Sequence, residues 1–243
     1  MTGLGPLGPA GVRRVRGWAT RAAATARAAH LTAAYRAGGM EVVRNPHLTA
    51  EWARHAIHSP ALLSAVRRAI GPDIAVENTF LVIKWPGRRP FEVPWHQDGI
   101  NDRIVLDPRR SVAAWLALTD ADETTGCLRV FPGSQRRGYL AYDAEPDAGA
   151  VRGRAFGIAG VDPSEARPLP SQAGDGCLMD VRLVHGSDSN TGTGVRIGLN
   201  IRFVAPLGYT VRDGSDPSLY PVSGTGWQLH PSTRSIHERG ARP

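Results

Sequence analysis

The stretch "VPWHQDGIN", residues 93 to 101, places His96 and Asp98 two positions apart, with Trp95 before them and Gly99 after. On an extended segment, residues i and i+2 project to the same side, so this imidazole and carboxylate would face one point. Of the other histidines, His30, His55 and His58 fall on helix-like stretches, His47 follows Pro46 in a loop, and His230 and His237 lie near the C-terminus. His185 differs: it ends the apolar run "CLMDVRLV" and opens the turn-like "HGSDSN". Strand ends held by a rigid sheet are common places to build a site.

Two imidazoles and one carboxylate suit a facial Fe(II) site, which leaves coordination positions open on the far side of the metal. Those positions allow an organic acid and O₂ to bind side by side, and the acid then needs a cation to anchor it. Arg196 stands 11 residues after His185 and opens "RIGLNIRFV", the next strand candidate. A guanidinium grips a carboxylate through two N–H groups and stays charged when buried. Ser187, two beyond His185, can add a hydroxyl donor. Alone, His96 and Asp98 fit an Asp-Gly turn with a backbone-bonded histidine about as well as a metal pair. Adding His185, Ser187 and Arg196 favours the metal.

The elements that would hold these groups are readable in outline. Residues 1–12 are rich in Gly and Pro and are expected to be a flexible N-terminus; Arg13 to Arg36 is Ala-rich and reads as helix. "MEVVRN" reads as a short strand ended by Pro46. "LTAEWARHAIHSPALLSAVRRAIG" reads as helix, with Thr49 as N-cap, a break near Ser59-Pro60 and a stop at Gly71. Strand candidates then follow one another: "IAVENTFLVIKW", "SVAAWLALTD", "GCLRVFPGS", "GCLMDVRLVHG" and "VRIGLNIRFV". Residues 136–170 lack periodicity and carry Tyr139 and Tyr142, the pattern of a lid. Many strands after a helical start imply a β-sandwich or barrel with helices outside. One domain is expected over 13–230, with its core at about 73–205 and a flexible tail at 231–243.

Composition narrows the function classes. The formal charge is +7, but residues 1–40 hold six arginines and no acid, and 232–243 hold three arginines against Glu238. The middle of the chain is therefore close to neutral, unlike a nucleic-acid binder with a basic stripe on its folded face. No apolar run approaches the roughly 20 residues of a membrane helix, and no secretory leader is evident. Lys84 is the only lysine, an arginine bias that suggests GC-rich coding and a bacterial cytoplasmic protein. Cys127 and Cys177 lack zinc-site spacing and read as small buried hydrophobes.

The motifs as an ordered set resemble the phytanoyl-CoA dioxygenase-like Fe(II)/2-oxoglutarate oxygenases. The resemblance rests on "LVIKWPG", "PWHQDG", "AAWLALTDADETTGCLRVFPGS" and "LVHGSDSNTGTGVRIGLNIRF", and spans about residues 50–205. It implies a mainly β fold with flanking helices, the double-stranded β-helix or cupin-like jelly-roll. His96, Asp98 and His185 would be the iron ligands, and Arg196 and Ser187 would hold the distal carboxylate of 2-oxoglutarate. Trp115, Thr79 and Phe80 would line the cosubstrate pocket. The implied reaction uses Fe(II), 2-oxoglutarate and O₂ to hydroxylate an unactivated C–H bond of a small-molecule specialised metabolite, releasing succinate and CO₂. Desaturation, epoxidation or cyclisation on the same iron, or a non-catalytic ligand-binding member of the fold, are the alternatives. Halogenating relatives replace the aspartate by a small residue, so Asp98 disfavours that chemistry. Gln135, where the family often has histidine, is a departure. Substrate-lining candidates are Gln97, Ile100, Asn101, Arg129 and Asn200; Arg202 shares a strand face with Asn200 but is the weaker candidate.

Overall fold

The computed structural model describes residues 7–88, 90–144, 156–214 and 217–227. The chain opens with β1 (Val12–Val15), α1 (Arg21–Tyr35) and β2 (Val42–Arg44), then α2 (Pro46–Thr49), α3 (Glu51–Ile57) and α4 (Pro60–Ile70). The strands β3 (Ile74–Lys84), β4 (Val93–His96), β5 (Ile104–Leu106), β6 (Ser111–Ala117) and β7 (Leu128–Val130) come next. They are followed by β8 (Asp143–Ala144), β9 (Phe156–Gly157), β10 (Arg167–Leu169) and β11 (Gly176–Met179). The last are β12 (His185–Ser187), β13 (Arg196–Val204), β14 (Tyr209–Val211) and β15 (Tyr220–Ser223). Among the described residues no helix is long and apolar enough to cross a membrane.

A seven-stranded sheet runs β1-β11-β6-β13-β3-β15, with β2 also paired to β3. A four-stranded sheet runs β10-β7-β12-β4. Period-two alternation divides the core into two layers. Val112, Ala114 and Leu116 of β6 and Ile197, Leu199, Ile201 and Phe203 of β13 join one cluster with Ala28, Ile57, Leu62 and Val66 of the helices. Ala113, Trp115 and Ala117 of β6 join a second cluster with Leu128 and Val130 of the smaller sheet. The large sheet is thus covered on both faces, which is why every residue of β6 is buried. This is the jelly-roll architecture the motifs implied.

Local chemistry explains several boundaries. α4 starts at Pro60, whose missing N–H is harmless in a first turn, and stops at Gly71, whose φ of 93° suits glycine. The expected break at Ser59-Pro60 is therefore present, but Thr49 closes α2 and does not cap α3. The Arg13–Arg36 stretch is only partly helical. Val12–Val15 pairs with β11, and α1 begins after Thr20, whose hydroxyl accepts from Ala23 N at 3.2 Å. Sheet pairing here overrides helix propensity. Within the N-terminal segment expected to be flexible, Leu7 is buried and the Gly11 carbonyl accepts from Asp180 N at 2.8 Å. Residues 1–6 and the 231–243 tail of that reading lie outside the described residues.

Two further expectations change. "GCLMDVRLVHG" is not one strand but two, β11 and β12, in different sheets. Asp180 makes the corner, accepting from Arg182 N at 2.9 Å and pairing with its guanidinium at 2.8 Å. The 136–170 segment carries β8, β9, a short turn at Pro163–Glu165 and β10, and Tyr139 Oη donates to the Leu106 carbonyl at 2.6 Å. Its residues 145–155 lie outside the described set. Gln135 is buried and donates to the carbonyls of Gly8 and Pro9, so this departure from the family ties down the N-terminal segment.

Candidate metal centre

β4 and β12 are antiparallel neighbours, and their register sets His96 directly opposite His185. The two rings lie 4.1 Å apart between centroids. Each Nδ1 meets the carbonyl two residues back, His96 to Pro94 at 2.7 Å and His185 to Leu183 at 3.0 Å. A carbonyl only accepts, so Nδ1 carries the proton and Nε2 presents the lone pair. Those Nε2 atoms sit 3.6 Å and 3.5 Å from the two oxygens of Asp98. The three ligand atoms lie within 4.8 Å of one another and all three residues are buried. This donor set fits Fe(II).

β13 supplies the floor. Its inward residues are Arg196, Gly198, Asn200 and Arg202, alternating with the outward apolar ones. Asn200 Nδ2 donates to Asp98 Oδ2 at 3.0 Å, and Arg202 donates to Oδ1 through Nη2 at 2.9 Å and Nε at 3.3 Å. Burial pushes the Asp98 carboxyl up, yet with the Arg202 guanidinium bonded to it the group is held well below the usual carboxylate range. Each oxygen has a second lone pair, so these bonds orient the carboxylate and leave it able to ligate.

Arg196 is 1% exposed, yet among the described residues it has no carboxylate partner, and its Nε lacks any hydrogen bond. Burial lowers it to about 10, so it remains a cation at neutral pH. Its guanidinium lies 4.8 Å from the Trp115 ring centroid. Gly198 makes that contact possible: a Cβ there would meet Trp115 Cζ2 at 2.6 Å. Lys84, opposite Arg196 in the register, is fully buried and donates to the carbonyls of Ser187 and Asp188. Burial and the Arg196 charge push its ammonium well below the usual lysine range. Arg196, a buried cation with no acid bonded to it among the described residues, makes an electropositive end suited to an anionic ligand.

A cavity of about 540 Å³ opens onto these groups. It is lined by His96, Asp98, Trp115, His185, Ser187 and Arg196, and by Phe80, Asn101, Asn200 and Arg202. Four expected residues lie elsewhere. Thr79 faces the helices, its hydroxyl 2.8 Å from His47 Nδ1, because it alternates with Phe80. The Gln97 amide is spent on backbone, donating to Gly138 and Arg182 carbonyls and accepting from Leu140 N. Ile100 lines only a small neighbouring cavity of about 40 Å³. Arg129 pairs with Asp188 at 2.8 Å and lies over Trp95, off the main cavity. The main cavity also holds Arg44, Glu77, Asn78 and Arg103, which went unnoticed. A glutamate and an asparagine inside the apolar run "IAVENTFLVIK" were the available signal.

The family model for phytanoyl-CoA dioxygenase (PhyH) matches residues 5–198. The chain belongs to the phytanoyl-CoA dioxygenase family. It is 26% identical over 187 residues to a probable alpha-ketoglutarate-dependent hypophosphite dioxygenase of Stutzerimonas stutzeri, covering 76% of this chain and 60% of that protein. It is also 26% identical over 148 residues to the ectoine dioxygenase of Bordetella bronchiseptica, covering 55% of this chain and 47% of that one. The chain thus spans about half the length of these relatives. Among solved structures, a non-haem monooxygenase, ThoJ in its apo form, superposes with a TM-score of 0.74 at 27% identity, covering 89% of this chain and 82% of that one.

Proposed function

We propose that this protein is an Fe(II)/2-oxoglutarate-dependent oxygenase that hydroxylates an unactivated C–H bond of a small molecule. The balanced reaction converts substrate, O₂ and 2-oxoglutarate into alcohol, succinate and CO₂. The observation that carries the reading is the His96, Asp98 and His185 cluster beside a buried Arg196 that, among the described residues, has no carboxylate partner. The three ligands would hold the iron, and Arg196 with Ser187 would hold the distal carboxylate of the cosubstrate. Bound iron and 2-oxoglutarate supply the oxidising power.

The residues of the chain do the rest. The backbone-locked imidazoles keep Nε2 aimed at the metal position, and Asn200 and Arg202 fix the carboxylate rotamer. Trp115 walls the cosubstrate end and, packed on Arg196, shields it from water. Anaerobic titration of the protein with Fe(II) and then 2-oxoglutarate tests the assignment. The weak visible charge-transfer band of a chelated 2-oxo acid is expected in the wild type and absent in His185→Ala. Iron binding without the band in the wild type would point instead to a ligand-binding member of the fold. Product analysis, once a substrate is found, separates hydroxylation from desaturation, epoxidation and cyclisation.

A further inference from the structure

The register of β3 against β13 contains one irregularity. Asn78 pairs with Arg202 and Val76 with Phe203, so Glu77 is an extra residue on β3. Such a β-bulge turns a side chain that regular alternation would send to the opposite face. Here it brings Glu77 to the cavity beside Asn78. Glu77 Oε2 is buried and makes no hydrogen bond; its nearest cation is Arg202 Nη1 at 3.8 Å, and that guanidinium is already committed to Asp98.

Buried polar atoms without partners are rare, and each calls for an explanation. Four belong to residues that line the cavity: Glu77 Oε2, Asn78 Oδ1, Asn200 Oδ1 and Arg196 Nε. Arg196 is the cation that the proposed function assigns to the cosubstrate. The remaining three are acceptors. For Asn200 the orientation of the amide follows from its partner: Asp98, which also accepts from Arg202, accepts from Nδ2 at 3.0 Å and so leaves Oδ1 unpartnered. Glu77 offers an accepting oxygen whether ionised or protonated; burial pushes its carboxyl up and Arg202 pulls against it. Asn78 has no partner that settles its orientation, so the inference stands on Glu77 and Asn200.

We propose that Glu77 and Asn200 form the substrate-recognition subsite, and that they select a substrate carrying an alcohol or amine hydrogen-bond donor close to the oxidised carbon. This rests on the oxygenase reading above. A carboxylate at the same place has no hydrogen to offer and would leave the acceptors unpaired, which is the basis of discrimination. Arg202 links the subsite to the metal ligand Asp98, so the substrate donor sits within one side chain of the reaction centre.

Cyclohexylamine, cyclohexanol and cyclohexanecarboxylate serve as probes of similar shape. Each is titrated anaerobically into protein loaded with Fe(II) and 2-oxoglutarate, with paramagnetic broadening of the probe's NMR signals as the readout. The amine and alcohol should bind at least about tenfold more tightly than the carboxylate, the scale of one hydrogen bond. Glu77→Leu should remove that preference for both. Glu77→Gln, which keeps an accepting oxygen, should spare the alcohol and weaken the amine. Equal or tighter binding of the carboxylate, or an unchanged preference in Glu77→Leu, overturns the proposal. The 2-oxoglutarate band is recorded on every sample. If the wild type lacks it, the oxygenase reading fails and takes this proposal with it. If the band forms without any donor preference, only the subsite fails. Should Glu77→Leu lose the band through misfolding, Glu77→Gln decides alone.

Discussion

Replacing Arg202 by methionine, which is similar in length and uncharged, tests how the metal ligand is held. Arg202 and Asp98 are 5% and 3% exposed, and two hydrogen bonds join them. Removing one member of a buried pair costs about 3–5 kcal/mol, because the remaining charge stays buried without compensation. Asn200 keeps one bond to Asp98, and Glu77 loses its nearest cation, so the metal-free variant should fall in that range. For a domain of this size the loss corresponds to a drop in Tm on the order of 10 °C. A divalent ion between the imidazoles and Asp98 restores positive charge where the guanidinium was lost. The gap between variant and wild type should therefore narrow when Fe(II) is present, although each protein gains. Thermal unfolding under anaerobic conditions, with and without Fe(II), measures both numbers. A metal-free variant as stable as wild type would refute the reasoning, and so would a gap that iron leaves unchanged, since Arg202 would then be packing and not charge compensation.

Arg196→Ala should raise the concentration of 2-oxoglutarate needed for the charge-transfer band by at least about 100-fold, the scale of a lost charge-assisted bidentate contact. The concentration of Fe(II) needed should barely change, and equal effects on both would count against an anchoring role. Gly198→Ala places a Cβ 2.6 Å from Trp115 Cζ2, so about 1–3 kcal/mol of overpacking is expected together with weaker 2-oxoglutarate binding; unaltered titration curves would show that the indole contact is dispensable. His47 is 1% exposed, and burial first, then Arg54, lowers it from 6.5 to about 4. The unfolded chain then binds the extra proton between these values, so its contribution of up to about 3 kcal/mol is complete above pH 6.5 and is lost as pH falls toward 4. His47→Gln should flatten the pH dependence of unfolding by denaturant over that window, and parallel profiles would refute the assignment.

Residue type and spacing by themselves pointed to His96, Asp98, His185 and Arg196 as the candidate site and to a strand-rich sandwich or barrel, and the family resemblance narrowed that fold to the jelly-roll. His96 ends β4 and Asp98 lies in the turn directly after it, and the inward face of β13, from Arg196 to Arg202, follows from period two along a single strand. Wherever the pattern is carried by one element, its sequence suffices. What alternation could not supply was which side of each element meets which neighbour. Thr79 was assigned to the wrong face of β3, and Gln97 and Arg129 were drawn away by backbone and carboxylate partners more than 30 residues distant in the chain. The strand at Val12–Val15 exists because β11 is there to pair with it, against a helix-forming composition. Glu77 reaches the cavity only through a bulge set by the register of two strands separated by more than 100 residues. Those placements depend on long-range pairing and packing, where the free energy belongs to the contact between elements and not to either segment alone.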